Sequence, residues 1–168
     1  MGRTASEPAL RPPAGPFLRS FVHAAAGVGR VWASERNFRV QLGCAGAVLS
    51  LAWLQGLAAG RVGALVAAAA AVLATEAMNA AVEVAVDLAT AERHPLAGAA
   101  KDLAAGAVLV AAAGAAAVVL AAFWPVWREP ALVLAAVRAR PLVAVAVVAG
   151  LAVFGGQILL PLGGRRAC

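Results

Sequence analysis

The 168-residue chain reads as an all-α integral membrane protein: an N-terminal amphipathic surface helix, a three-span helical bundle and a fourth, C-terminal span. Three observations lead there. The composition is 63% hydrophobic with a mean hydropathy of +0.87, more than a soluble core of this size can absorb. The apolar residues fall into long runs of the length that crosses a bilayer, about 20 residues each. The basic residues, all Arg except Lys101, gather at the ends of those runs. The net charge of +6 therefore points to anionic headgroups rather than to nucleic acid. No nucleic-acid-binding motif, zinc spacing or aromatic stacking platform is present. Cys44 and Cys168 are too far apart in sequence and context to suggest a disulfide framework.

Residues 1–16 form an arm rich in Pro, Gly and small polar residues, expected to be disordered and without the apolar core of a signal peptide. From Phe17 the pattern turns helical. Phe17, Leu18, Phe21, Val22, Ala25, Val28 and Trp32 make one stripe, with Arg19, His23 and Arg30 off it. Such a helix lies in the headgroup plane, packs on protein, or does both. Ser34 to Arg39 is a polar knot in which Ser34 is a candidate helix cap. Span one is expected over Val40–Ala59, a hinge at Gly60-Arg61, and span two over Val62–Val82, its helix continuing through Asp87. Ala89–Ala100 is a polar connection containing His94-Pro95. Span three covers Leu103–Phe123 and stops at Trp124-Pro125-Val126-Trp127, an aromatic interface belt. Residues 17–127 form the main domain. Residues 128–168 are a linker with a short apolar piece, Ala131–Val137, and the extra span Leu142–Leu160.

Basic residues set the orientation. Arg3, Arg11, Arg19, Arg30, Arg36, Arg39, Arg93, Lys101, Arg165 and Arg166 fall on one side; Arg61, Arg128, Arg138 and Arg140 fall on the other. The richer side is cytoplasmic, which places both termini there, in a bacterial inner or plasma membrane. Small residues recur at Gly43, Ala47, Ser50 and at Gly106, Val110, Gly114. Either these let helices approach closely, or Ala and Gly are simply abundant in this chain.

Thr75–Asp102 stands apart. It holds Glu76, Glu83, Asp87, Glu92 and Asp102, five of the eight acidic residues, together with Asn79, His94 and Lys101. On one helix Glu76, Asn79, Glu83 and Asp87 fall within an arc of about 80° and are stacked over about 16 Å. A carboxylate at the membrane edge is costly unless it faces protein, water or a cation. Three on one stripe repel, so the stripe calls for a divalent metal, Lys101 or Arg39. A polar stripe can also serve only to solvate a helix end; three carboxylates, an Asn and a following Lys-Asp pair favour a site. Glu35, the acid between Glu7 and Glu76, is a candidate second metal position. His94 before Pro95 reads as a turn residue rather than a catalyst. Carboxylates for a hard metal and a lone Lys suit phosphoryl transfer, where positioning and charge neutralisation do most of the work. No Walker A or protein-kinase glycine loop is present. A proton- or cation-coupled transporter or channel is the rival on chemistry alone.

Glu76-x-x-Asn79-x-x-x-Glu83-x-x-x-Asp87, then His94-Pro95-Leu96-Ala97 and Ala100-Lys101-Asp102 with Ala104-Ala105-Gly106, resembles the signature of the small bacterial membrane lipid kinases. These are the prokaryotic diacylglycerol kinases and the related undecaprenol kinases. Ala26-Gly27 and Glu35-Arg36-Asn37-Phe38-Arg39 extend the match, so that it covers Phe17 to Pro125. The resemblance implies a homotrimer with active sites shared between neighbours, ATP with Mg²⁺ as donor, and a membrane lipid alcohol, diacylglycerol or undecaprenol, as acceptor. It implies Glu76 as general base and Glu35 and Glu83 as metal ligands. Asn79, Asp87, Glu92, Lys101 and Asp102 would order the site and contact the nucleotide, and Arg39 would sit near phosphate or the lipid head. Gly98 stands where the family often has Lys, and Gln41 where many undecaprenol-type members have His. The polar knot and the His-Pro-Leu stretch resemble the undecaprenol kinases more closely.

Overall fold

The computed structural model describes residues 15–90, 92 and 94–159, and every regular element among them is helical. The helices are α1 (Pro16–Ser34), α2 (Arg36–Gln55), α3 (Ala59–Ala89), α4 (Pro95–Ala122), α5 (Trp124–Arg128), α6 (Ala131–Ala139) and α7 (Pro141–Leu159). Of the expected arm, residues 1–14 lie outside the described residues, as do Arg93, Arg165 and Arg166.

Local chemistry sets the breaks. α1 begins at a proline, whose fixed φ and missing N–H suit a first turn. It runs through Ser34, so the cap of α2 is Glu35 rather than Ser34; Glu35 has extended backbone and makes no side-chain cap bond. α2 ends earlier than the expected hinge at Gly60-Arg61, because Gly56 takes φ 65° and ψ 39°, a left-handed conformation open to glycine at little cost. The Gly56 N–H donates to Trp53 O at 3.1 Å and the Leu57 N–H to Ala52 O at 3.0 Å, a Schellman closure. Gly60 and Arg61 sit in the first turn of α3. α4 starts at Pro95, with His94 as its N-cap: the Leu96 N–H donates to His94 Nδ1 at 3.2 Å. The connection therefore shrinks to Thr90–His94, and Lys101 and Asp102 lie inside α4 rather than at its start. Pro125 falls in the first turn of α5, and the short apolar piece after it is a helix, α6.

α3 and α4 are long and apolar enough to cross a membrane; α6 and α7, bent by 103° where they meet, add a third if taken as one broken span. α2 is not among them. Its first turns carry Arg36, Asn37, Arg39 and Gln41, which dilute an otherwise apolar helix. At 31 residues α3 is about 46 Å long, well beyond a hydrocarbon core of about 30 Å. Its surplus is the segment that carries the polar stripe.

α3 is the central strut. α4 packs along it most extensively, α2 packs on its other flank, and α7 packs on α2. The buried apolar cluster lies at the end of the bundle where α2 and α4 terminate: Ala52, Leu65, Ala122 and Phe123, with Val48, Leu57, Val118 and Val126 against them. Between that cluster and the opposite end, α2, α3 and α4 leave an apolar groove of about 280 Å³. Most large apolar side chains face outward, among them Leu103, Leu109 and Val110 on α4, as expected of helices solvated by lipid. On α1, Phe17, Leu18, Phe21, Val22 and Val28 are likewise exposed. Of the two small-residue stripes, Gly43, Ala47 and Ser50 line a recess against α7. A Cβ built on Gly106 or Gly114 would meet nothing within 4 Å.

Three arginines close helix C-termini. Arg39 donates to Trp32 O at 2.7 Å at the end of α1. Arg140 donates to Trp53 O at 2.8 Å at the end of α2. Arg61 donates to Ala122 O at 3.4 Å at the end of α4. A guanidinium there satisfies carbonyls left over by the helix and meets the negative end of its dipole.

Candidate active site

The end of the bundle remote from the apolar cluster is polar. Glu76 is only 3% exposed, the one buried charged side chain among the described residues. It faces α2, where Gln41 Nε2 donates to Glu76 Oε2 at 3.1 Å. Val72, one turn earlier on the same face of α3, lines the apolar groove, and so does Gln41. The carboxylate therefore lies beside the groove, joined to it through Gln41.

One turn further along α3, Asn79 Nδ2 donates to Glu83 Oε1 at 3.0 Å, an i,i+4 pair that fixes both side chains. One turn beyond that, Asp87 Oδ1 accepts from Lys101 Nζ at 2.6 Å across to α4. Asp87, Thr90, Glu92, His94 and Lys101 face a wide recess of about 530 Å³ where α3 passes into α4. Thr90 Oγ1 accepts from the Glu92 N–H at 3.2 Å and so shapes the turn at the recess floor. Gly98 also lines it, and a Cβ there would meet nothing within 4 Å, so the family's frequent Lys would fit.

The expected residues are thus partly gathered. Glu76, Asn79, Glu83 and Asp87 form the stripe down α3, and Lys101 closes on its far end. Glu35 is at the head of α2, half-buried, without a side-chain cap bond. Asp102 is exposed and makes no hydrogen bond or ion pair among the described residues. Arg39 uses one guanidinium nitrogen to tie α1 to α2. Gln41, noted in the sequence only as a departure from the family, is the residue that sequence reasoning did not place in the site. Its signal was a lone amide two residues after Arg39, inside an apolar run.

Among the described residues three buried side-chain polar atoms lack a partner: Arg39 Nε, Gln41 Oε1 and Asn79 Oδ1. Buried polar atoms are nearly always bonded, so three orphans at one end of the molecule mark a place shaped for something else. For a hard cation the donors are suitable: Asn79 Oδ1 is an orphan oxygen beside the Glu83 carboxylate. No cluster of three or more His, Cys, Asp or Glu is present among the described residues.

The chain matches the model of the prokaryotic diacylglycerol kinase family over residues 22–123, which contains every one of these side chains. It belongs to that family. It is also 39% identical over 88 residues to the undecaprenol kinase of Bacillus subtilis (strain 168), an alignment covering 52% of this chain and 72% of the relative. No solved structure matches the chain significantly. The protein is thus a membrane lipid kinase, and the ion-transport alternative loses its footing. The family match ends at Phe123, so α5, α6 and α7 lie beyond it.

Proposed function

We propose that the protein transfers the γ-phosphate of ATP to the hydroxyl of a membrane lipid alcohol at the cytoplasmic face of a bacterial inner membrane. Undecaprenol is the acceptor favoured by the likeness to the Bacillus subtilis protein; diacylglycerol is the other candidate. The observation that carries the reading is Glu76: a buried carboxylate hydrogen-bonded to Gln41, which lines the apolar groove, within the part of the chain that the family shares.

In this reading the lipid lies with its hydrocarbon along the groove and its hydroxyl at Glu76. Glu76 takes the hydroxyl proton as the oxygen attacks the γ-phosphorus, and ADP leaves with the electron pair of the broken P–O bond. The nucleotide occupies the recess between α3 and α4, where Lys101 offers a point charge to phosphate oxygens and Asp87 holds the ammonium in place. Glu83, Asn79 Oδ1 and Glu35 would hold Mg²⁺, which when bound neutralises phosphate charge. Glu92 and Asp102 border the nucleotide, and Arg39 Nε is free to meet a phosphate or headgroup oxygen. α1 lies in the headgroup plane, α2, α3 and α4 span the bilayer with α7 as the extra span, and three copies assemble into a homotrimer whose neighbours complete each site.

The test is transfer of labelled γ-phosphate to undecaprenol and diacylglycerol, side by side in mixed micelles, with and without Mg²⁺. Mg²⁺-dependent labelling of either lipid supports the reading and ranks the acceptors. Absence of labelling with both, from protein that is folded, overturns it.

A further inference from the structure

The hydrogen bond from α2 to the buried carboxylate shapes how Glu76 can act as a base. At 3% exposure Glu76 has little access to solvent, and among the described residues its one hydrogen-bond donor is Gln41 Nε2, at 3.1 Å on Oε2. Neither Arg39 nor Lys101 reaches it: Arg39 is bonded to the end of α1 and Lys101 to Asp87. An amide donor has two effects that a cation would not combine. It holds one carboxylate oxygen, leaving Oε1 as the oxygen free to receive a proton. It also carries no formal charge, so it orients the carboxylate without placing a counter-charge beside it.

Gln41 turns its nitrogen to Glu76, the arrangement that an ionised carboxylate requires of an amide. That leaves Gln41 Oε1 buried and unpartnered beside the groove. Gln41 is therefore held by its bond to Glu76 rather than by a network of its own.

We propose that Gln41 is a positioning residue for phosphoryl transfer, a role that rests on Glu76 being the base. Gln41 fixes the Glu76 carboxylate beside the apolar groove, with Oε1 free for the acceptor hydroxyl, while keeping the base free of a counter-charge. Placing a base within reach of its proton is worth large factors, and a displacement of about 1 Å can cost about 100-fold.

The test uses the full chain with Gln41→Leu and Gln41→His, alongside Glu76→Gln. Leucine removes the donor at similar size. Gln41→Leu should lower kcat by about 10- to 100-fold with KM for ATP unchanged, since the nucleotide recess is not touched. Histidine restores an N–H donor but titrates near pH ~6.5, so Gln41→His should recover most of kcat above about pH 7.5 and lose it as the pH falls through about 6.5, where an imidazolium would pair with the base. The wild-type amide cannot produce that limb. Wild-type kcat in Gln41→Leu, or a wild-type pH profile in an active Gln41→His, overturns the proposal. If Gln41→Leu fails to fold, the Gln41→His profile decides. Transfer that survives Glu76→Gln overturns the reading of the base itself, a result distinct from either Gln41 outcome.

Discussion

The two ends of the bundle are built on opposite terms. At one end, Ala52, Leu65, Ala122 and Phe123 close on each other, and Arg61 and Arg140 seal the helices that finish there. At the other, a carboxylate is buried on a single amide, and polar atoms of Arg39, Gln41 and Asn79 are left without partners. Packed apolar atoms with satisfied carbonyls hold a fold. Orphan donors and acceptors cost stability and persist where a ligand is to complete them. The difference teaches that stability and chemistry are separable in this molecule: one end holds the helices together so that the other can remain unsatisfied.

Single substitutions can break that separation or sharpen it. The largest effect is expected at Glu76. Glu76→Gln should reduce phosphate transfer by about 10²- to 10⁴-fold and leave the thermal midpoint in detergent close to wild type. A large loss of stability would mean that Glu76 serves the fold instead. Next is Leu65, 3% exposed at the opposite end. Leu65→Ala should cost about 2–4 kcal/mol through lost contacts and a cavity, read by denaturant unfolding in micelles, with kcat of the folded fraction preserved. Arg140→Ala should cost about 1–2 kcal/mol, from a lost charged hydrogen bond and helix-end interaction. It should also expose α7 to protease while leaving lipid phosphorylation intact. Smallest in stability is Lys101, whose ion pair with Asp87 is 37% and 68% exposed on its two sides. Lys101→Met should shift stability by less than about 1 kcal/mol, yet raise KM for ATP several-fold in the same assay that scores Glu76→Gln.

Much of the polar end was legible from residue types. Glu76, Asn79, Glu83 and Asp87 recur at helical spacing, so a single long helix had to bring them to one face, and α3 does. The stripe called for positive charge from a metal, Lys101 or Arg39, and Lys101 pairs with its far end at Asp87. The helix boundaries were less legible, because Ala and Val continue across them. The end of α2 depends on one left-handed glycine, Gly56, rather than on the Gly60-Arg61 pair. The start of α4 depends on His94 turning its ring to an amide two residues on. Gln41 was missed as a site residue because its role comes from a contact with a residue 35 positions away. The arginine caps were missed for the same reason. Charge at the end of an apolar run reads as topology, and nothing local says that Arg140 will bond Trp53, 87 residues earlier.

The bond from Arg140 bears on how the chain is made. The family match stops at residue 123, so the cap of α2 is supplied by a segment outside the shared domain. During synthesis α2, α3 and α4 are complete before Arg140 exists. Until it arrives, the Trp53 and Leu54 carbonyls have no guanidinium, and the space beside Gly56, where its nitrogens come to lie 3.3 and 3.5 Å from a built Cβ position, is empty. The extension therefore adds a late cap to the end of α2. A chain halted after Phe123 would carry every residue of the polar end but leave the Trp53 carbonyl without its guanidinium.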